Sequence, residues 1–214
     1  MVGVNNTNVS SYLPPLKHAE VDAQDVYWIL RQSACRFQFP TSILLGNEAT
    51  TENVRRAVIK LVQEKTNQDF LLFYFIGHAQ PVRAKDGRSD IYFVTSDFDP
   101  QLVKVDVNAH LSTKWLREIL YHSDGAGKVL VILDCCYAGN MIEARPDPAR
   151  IHIDVDIRKI VEECLGGPSI KYQDGHFRGI LTATKYNTPA QERVMTSLIL
   201  SALQGGMQRA MDQD

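Results

Sequence analysis

The chain has 214 residues, 44% of them hydrophobic and 22% charged, a make-up that suits one globular domain able to bury roughly 70% of its unfolded surface and excludes a disordered tail, a repeat array or a mini-scaffold. Lys and Arg number 23 against 25 Asp and Glu, a formal charge of −2, so no basic field advertises nucleic acid or an anionic membrane. The longest apolar runs, 70–76 and 129–133, fall far short of the ~18 residues of a membrane span. The start of the chain lacks the charged and apolar regions of a signal peptide, which predicts a soluble, cytoplasmic protein. The cysteines, Cys35, Cys135, Cys136 and Cys164, form no regular framework. Two are adjacent, where a disulfide would be badly strained, so all four read as thiols of a reducing compartment.

In chain order, residues 1–6 read as the stub of a strand running into a polar loop that ends at Leu13-Pro-Pro-Leu16. From His18 to about Gln32, Ala19, Ala23, Val26, Tyr27, Ile29 and Leu30 recur at helical spacing with acids in the first turn, which predicts an amphipathic helix. A short strand follows at Ser42–Leu45, then a helix over Glu52–Lys65 with Val54, Ala57, Val58, Leu61 and Val62 on one face. Asp69–Ile76 is apolar almost throughout, as in a strand covered on both sides, and is expected to stop at Gly77. Residues 80–89 read as a polar loop, 91–95 as a strand, and the stretch with Asp97, Asp99 and Pro100 as a loop. A helix over Leu111–Tyr121, an apolar strand over Val129–Leu133, a strand over Gly179–Thr184 and a helix over Met195–Met211 complete the set. Strands and helices alternate, so the class is α/β with right-handed crossovers. Between Asn140 and Arg178 there is little periodicity, and a loop of that length inside a domain is functional or mobile rather than structural.

In open parallel sheets the functional crevice lies beyond the carboxyl ends of the strands. His78 and Cys136 each stand just past such an end and are expected to face one crevice. An imidazolium stabilises a nearby thiolate, so this pair has the make-up of an acyl-transfer nucleophile and its base. The backbone N–H groups of Ala79 and Cys136 are candidate donors to an oxyanion, and a backbone carbonyl suffices to orient the imidazole. A nucleotide hydrolase is disfavoured because no phosphate-cradling Gly-x-x-x-x-Gly-Lys-[Ser/Thr] loop is present. A zinc site from His78, Cys135 and Cys136 lacks a fourth ligand.

Phe73-Tyr-Phe-Ile-Gly-His78 and Ile132-Leu-Asp-Cys-Cys-Tyr-Ala-Gly139 resemble the histidine and cysteine motifs of the caspase-like peptidases, most closely their metacaspase and bacterial orthocaspase branch. The residues between the two motifs are comparable in number to the ~50 found in caspases. Val2-Gly-Val-Asn-Asn6, residues 13–23, 92–97 and 179–184 fit other stretches of the family in order. The resemblance implies a caspase-hemoglobinase-like fold, a mainly parallel sheet with helices on both faces. It divides one domain, 1–214, into a large-subunit-like segment over 1–139, a linker loop over 140–178 and a small-subunit-like segment over 179–214. It further implies a cysteine endopeptidase with Cys136 as nucleophile and His78 as base and later acid. Asp22 and Asp134 would receive an Arg or Lys side chain of a protein or peptide substrate. Cys135 reads as a small apolar filler pointing away from the crevice, because adjacent residues at a strand end face opposite ways.

Self-processing in the linker, where Arg145, Arg150, Arg158, Lys159, Lys171 and Arg178 stand, and a zymogen's role in regulated cell death or defence belong to the same implication. So does a calcium site, which approximate alignment places on Asp90, Asp106 and Glu143, with no cofactor required for the chemistry itself. Ala79 where the family commonly has Gly, Ile76 where it commonly has Ser, and Tyr137 and Ala138 after the nucleophile depart from the pattern. They define the rival reading, an inactive or weak caspase-like interaction module. About thirty residues follow Thr184 and the first strand is nearly absent, which suggests the protease portion of a longer protein with fused or associated regulatory domains.

Overall fold

A computed structural model describes residues 1–9, 13–32, 42–66, 69–87, 89–121, 128–136, 177–183 and 192–211. Five parallel strands form the central sheet in the order β2-β1-β3-β5-β6: β1 Val2–Gly3, β2 Leu44–Leu45, β3 Phe70–Arg83, β5 Lys128–Cys136 and β6 Phe177–Thr182. The sixth, β4 Ser89–Phe93, pairs antiparallel with the far half of β3. Helices cover both faces, as expected. The period of two along β3 and β5 sorts their side chains into two sets. Leu71, Phe73, Phe75, Val129, Val131, Leu133 and Cys135 pack with α2 (Thr51–Gln63) and α4 (Thr113–Tyr121). Tyr74, Ile76 and Ile132 pack on the opposite face with α1 (Ala19–Leu30) and α5 (Val194–Met211).

Two close fittings hold α1 in place. A Cβ at Gly3 would lie 2.6 Å from the Ala19 carbonyl oxygen and 2.8 Å from the Ala23 Cβ, so only glycine lets the helix backbone approach β1 this closely. Just beyond, Asn5 N–H donates to Glu20 Oε1 and Glu20 N–H donates to Asn5 Oδ1, both at 3.2 Å. That reciprocal pair satisfies one of the open N–H groups at the helix start.

Three expectations are corrected. First, β3 does not stop at Gly77; it runs on through His78 to Arg83, because residues 79–83 form a hairpin with β4. Pro81 is tolerated there: Val94 N–H donates to the His78 carbonyl (2.9 Å), so even-numbered backbone groups face β4 and the N–H that proline lacks would face the other way. Second, the loop around Asp99 contains a short helix, α3 Pro100–Val105, with the Asp99 carboxylate accepting from Gln101 N–H and Pro100 in the first turn. Third, β5 extends to Cys136, and β6 begins at Phe177, so Arg178 is a strand residue paired with Val129 and does not belong to a loop. Among the described residues no helix is long and apolar enough to cross a membrane.

Candidate active site

His78 and Cys136 are register partners at the last position where β3 and β5 pair. Partners on neighbouring strands lie about 4.8 Å apart, so folding alone brings the two backbone positions together. By parity, 78 and 134 belong to the set that faces α1 and α5, whereas Cys135 belongs to the opposite set and is buried in the core there.

The His78 ring is buried, and its Nε2 lies 2.8 Å from the Pro14 carbonyl oxygen. A carbonyl can only accept, so Nε2 carries the proton and Nδ1 has the lone pair. Burial holds the imidazole below its ordinary pKa, opposed by the Pro14 bond and by the charge of Glu192. It is therefore neutral and basic at neutral pH. The segment presenting Pro14 is itself fixed: Leu13 is buried, and Leu16 N–H donates to the Asn5 carbonyl (2.9 Å). Ala79 and Phe93 form a non-hydrogen-bonded pair, since Val94 N–H reaches the His78 carbonyl, so the Ala79 N–H is turned away from β4, toward the side of β3 that β5 lines.

One cavity is lined by His78, Asp134, Cys135, Asp22, Glu192 and Arg193, among others. Asp22 and Asp134 are buried, Asp22 with only 1% of its surface exposed. Asp22 is in the apolar stripe of α1 between Ala19 and Val26, and Asp134 follows Leu133 in β5. Asp134 Oδ2 accepts from Thr196 Oγ1 (3.2 Å) and more weakly from Tyr74 Oη (3.4 Å), and these hydroxyls are 2.9 Å apart. Burial raises the Asp134 pKa, and the charge of Asp22 adds to the rise while the two hydroxyls oppose it. Burial likewise raises that of Asp22, opposed first by Arg193. The cavity thus combines a neutral base with two carboxylates that are costly to keep ionised without a cation.

Pro14, Tyr74, Thr196, Glu192 and Arg193 were not singled out from the sequence. Tyr74 had a signal, a phenol inside an apolar strand that needs a polar partner; the other four act through contacts remote in sequence. Of the calcium candidates, Asp90 accepts from Ile91 N–H (2.8 Å), Thr113 Oγ1 and Lys114 N–H (3.2 Å), anchoring the start of α4. Asp106 accepts from Asn108 N–H (2.9 Å). Both carboxylates serve neighbouring protein donors, and among the described residues no three His, Cys, Asp or Glu side chains are placed to hold a metal ion. Glu143, Cys35, Cys164, Tyr137, Ala138 and the linker residues Arg145, Arg150, Arg158, Lys159 and Lys171 lie outside the described residues.

Residues 1–145 match the model of the metacaspase, peptidase C14 domain. The chain belongs to this family. It is 26% identical to Metacaspase-4 of Arabidopsis thaliana over 118 residues, which is 55% of this chain and 26% of that protein. A crystal structure of a Geobacter sulfurreducens protein superposes with a TM-score of 0.49 at 22% identity, covering 63% of this chain and 48% of the other. Family membership accords with the motif resemblance and with the fold, and it places the chain in a family of caspase-like cysteine peptidases.

Proposed function

We propose that this metacaspase-family chain is a cysteine endopeptidase that cuts proteins after Arg or Lys. The observation that carries the proposal is the pairing of positions 78 and 136 at the ends of β3 and β5, with the His78 Nε2–H tied to the Pro14 carbonyl. That bond leaves Nδ1 to take the proton of the Cys136 thiol. The thiolate attacks the scissile carbonyl, and the oxyanion is met by the N–H groups of Ala79 and Cys136. His78 then protonates the leaving amine, and water hydrolyses the thioester with His78 again as base. Asp22 and Asp134, in the same cavity as His78, receive the basic side chain before the cut, since a partly desolvated carboxylate pair favours a cation over a neutral group.

The test is turnover of fluorogenic peptides that differ only in the residue before the cut, with and without calcium. Arg and Lys peptides should be cleaved and their norleucine counterpart spared. Cys136→Ala should abolish turnover, while Cys135→Ala, a change at a side chain packed in the core, should keep most of it. Full activity of the Cys136→Ala protein would reassign the nucleophile. Calcium dependence, if found, would call for ligands beyond Asp90 and Asp106.

A further inference from the structure

The cavity already contains a cation supplied by the chain. Arg193 Nε stands 3.1 Å from Asp22 Oδ1, and Arg193 Nη2 3.7 Å from Asp25 Oδ2. Distance alone makes this an ion pair, yet among the described residues no hydrogen bond is directed at Asp22 Oδ1. The guanidinium neutralises the buried carboxylate without satisfying it. An oxygen so deeply buried and without a donor is costly, and a ligand entering with forked N–H groups would supply what Arg193 does not.

Arg193 is also held in a way that lets it leave. Its side chain is 45% exposed, so its end of the pair is solvated and screened. Its backbone has φ 71, a left-handed conformation that is strained for a non-glycine residue. The turn is pinned by its neighbour: Glu192 Oε2 accepts from the N–H groups of Lys17 and His18, both at 2.8 Å. The residues from Pro14 to His18 thus meet His78 at one end and the Glu192–Arg193 turn at the other.

We propose that Arg193 is an internal competitor at Asp22, a guanidinium of the chain itself that a substrate's basic side chain must displace, which makes Arg193 a specificity-determining residue. This rests on the reading of Asp22 as part of the pocket for that side chain. Arg193 lowers the affinity of the pocket for every cation, so the ligands admitted efficiently are those that present two parallel N–H groups in a fixed fork to the carboxylate. A guanidinium then gains over an ammonium.

The experiment titrates agmatine, which carries a guanidinium at one end and an ammonium at the other, into the Cys136→Ala protein by calorimetry, so that binding is read without turnover. Arg193→Gln in that background should bind agmatine about tenfold more tightly, the equivalent of ~1.4 kcal/mol. Arg193→Gly should do the same, and because glycine accepts the left-handed turn at no cost it guards against a folding defect in the Gln variant. Adding Asp22→Asn should remove the gain. Unchanged affinity in both Arg193 variants, weaker binding in them, or no agmatine binding by any variant would overturn the proposal. If wild-type protein is silent on every peptide while the Arg193 variants gain agmatine, the peptidase reading fails and the competitor stands. If peptides are cleaved but the gain is missing, the reverse holds.

Discussion

Replacing Thr196 by Val tests the floor of the cavity. The side chain is 1% exposed, and its hydroxyl joins Tyr74 Oη at 2.9 Å to Asp134 Oδ2 at 3.2 Å. Valine keeps the shape and removes the bridge. Asp134 then has only the 3.4 Å contact to Tyr74, and the phenol loses its short partner. Leaving such buried groups short of a partner costs about 1–3 kcal/mol, which for a domain of this size is about 2–12 °C in Tm. The hydroxyl also helps to hold both acids in their charged forms. Without it both pKa values rise further, so the acid limb of kcat/KM on an Arg peptide should move to higher pH. Thr196→Ser, which keeps the hydroxyl, should retain the wild-type limb while losing a methyl's worth of stability. Calorimetric Tm and a pH series of kcat/KM read the two effects separately. A Thr196→Val protein with wild-type Tm and an unshifted profile would refute the bridging role.

Three further outcomes are expected. His78 is held below its ordinary pKa of 6.5, so the acid limb of kcat/KM should lie below pH 6.5, and the histidine's contribution to stability should be present above that pH and lost as pH falls through the lowered folded value; an acid limb above 6.5 in a pH series would contradict the buried, neutral base. Asp134 is raised above 3.8, so its protonated form suits the fold: stability is full below about 3.8 and is lost as pH rises through the folded value. Asp134→Asn should therefore match wild type in acid and exceed it at neutral pH in urea melts, while losing cleavage of Arg peptides, and parallel stability curves would count against the shift. Gly3→Ala places its Cβ against the Ala19 carbonyl and the Ala23 side chain, neither of which can swing aside. It should cost about 1–3 kcal/mol in denaturant titrations and lower kcat/KM by moving Asp22 with α1.

The regions of this protein that announce themselves in sequence are those whose burial is continuous. The run before His78 and the run before Asp134 could only be strands covered on both faces, and the stripe Ala19, Ala23, Val26 could only be a helix lying on them. Where local signals misled, tertiary pairing overrode them. Gly77 and Pro81 look like breakers, but β4 pairs with the strand beyond them. Asp99-Pro100 looks like a loop, and is a helix start. Asp22 lay open to a stricter reading of period, since 19, 22 and 26 fall on one face of a helix; the carboxylate stands in the buried stripe itself. For Glu192 and Arg193 no local pattern exists. Their partners, Lys17, His18 and Asp22, are more than 170 residues away in the chain, and only the docking of α5 beside α1 brings them together.

The pleat of β5 draws these observations into one argument. Consecutive residues of a strand face opposite sides, so a single register fixes three assignments at once. Cys135 packs in the core with Phe75 and Leu133, Asp134 shares the cavity with Asp22, and position 136 pairs with His78. A slip of one residue between β3 and β5 would exchange all three, placing the other cysteine beside the histidine and driving the carboxylate into the apolar layer under α2 and α4. The buried acid therefore opposes that slip, because an ionised carboxylate in that layer would have neither a cation nor a hydroxyl to meet it. Asp134 thus acts on two levels, specifying the register that sets His78 against position 136 and supplying, from the same strand, the charge proposed to hold the substrate.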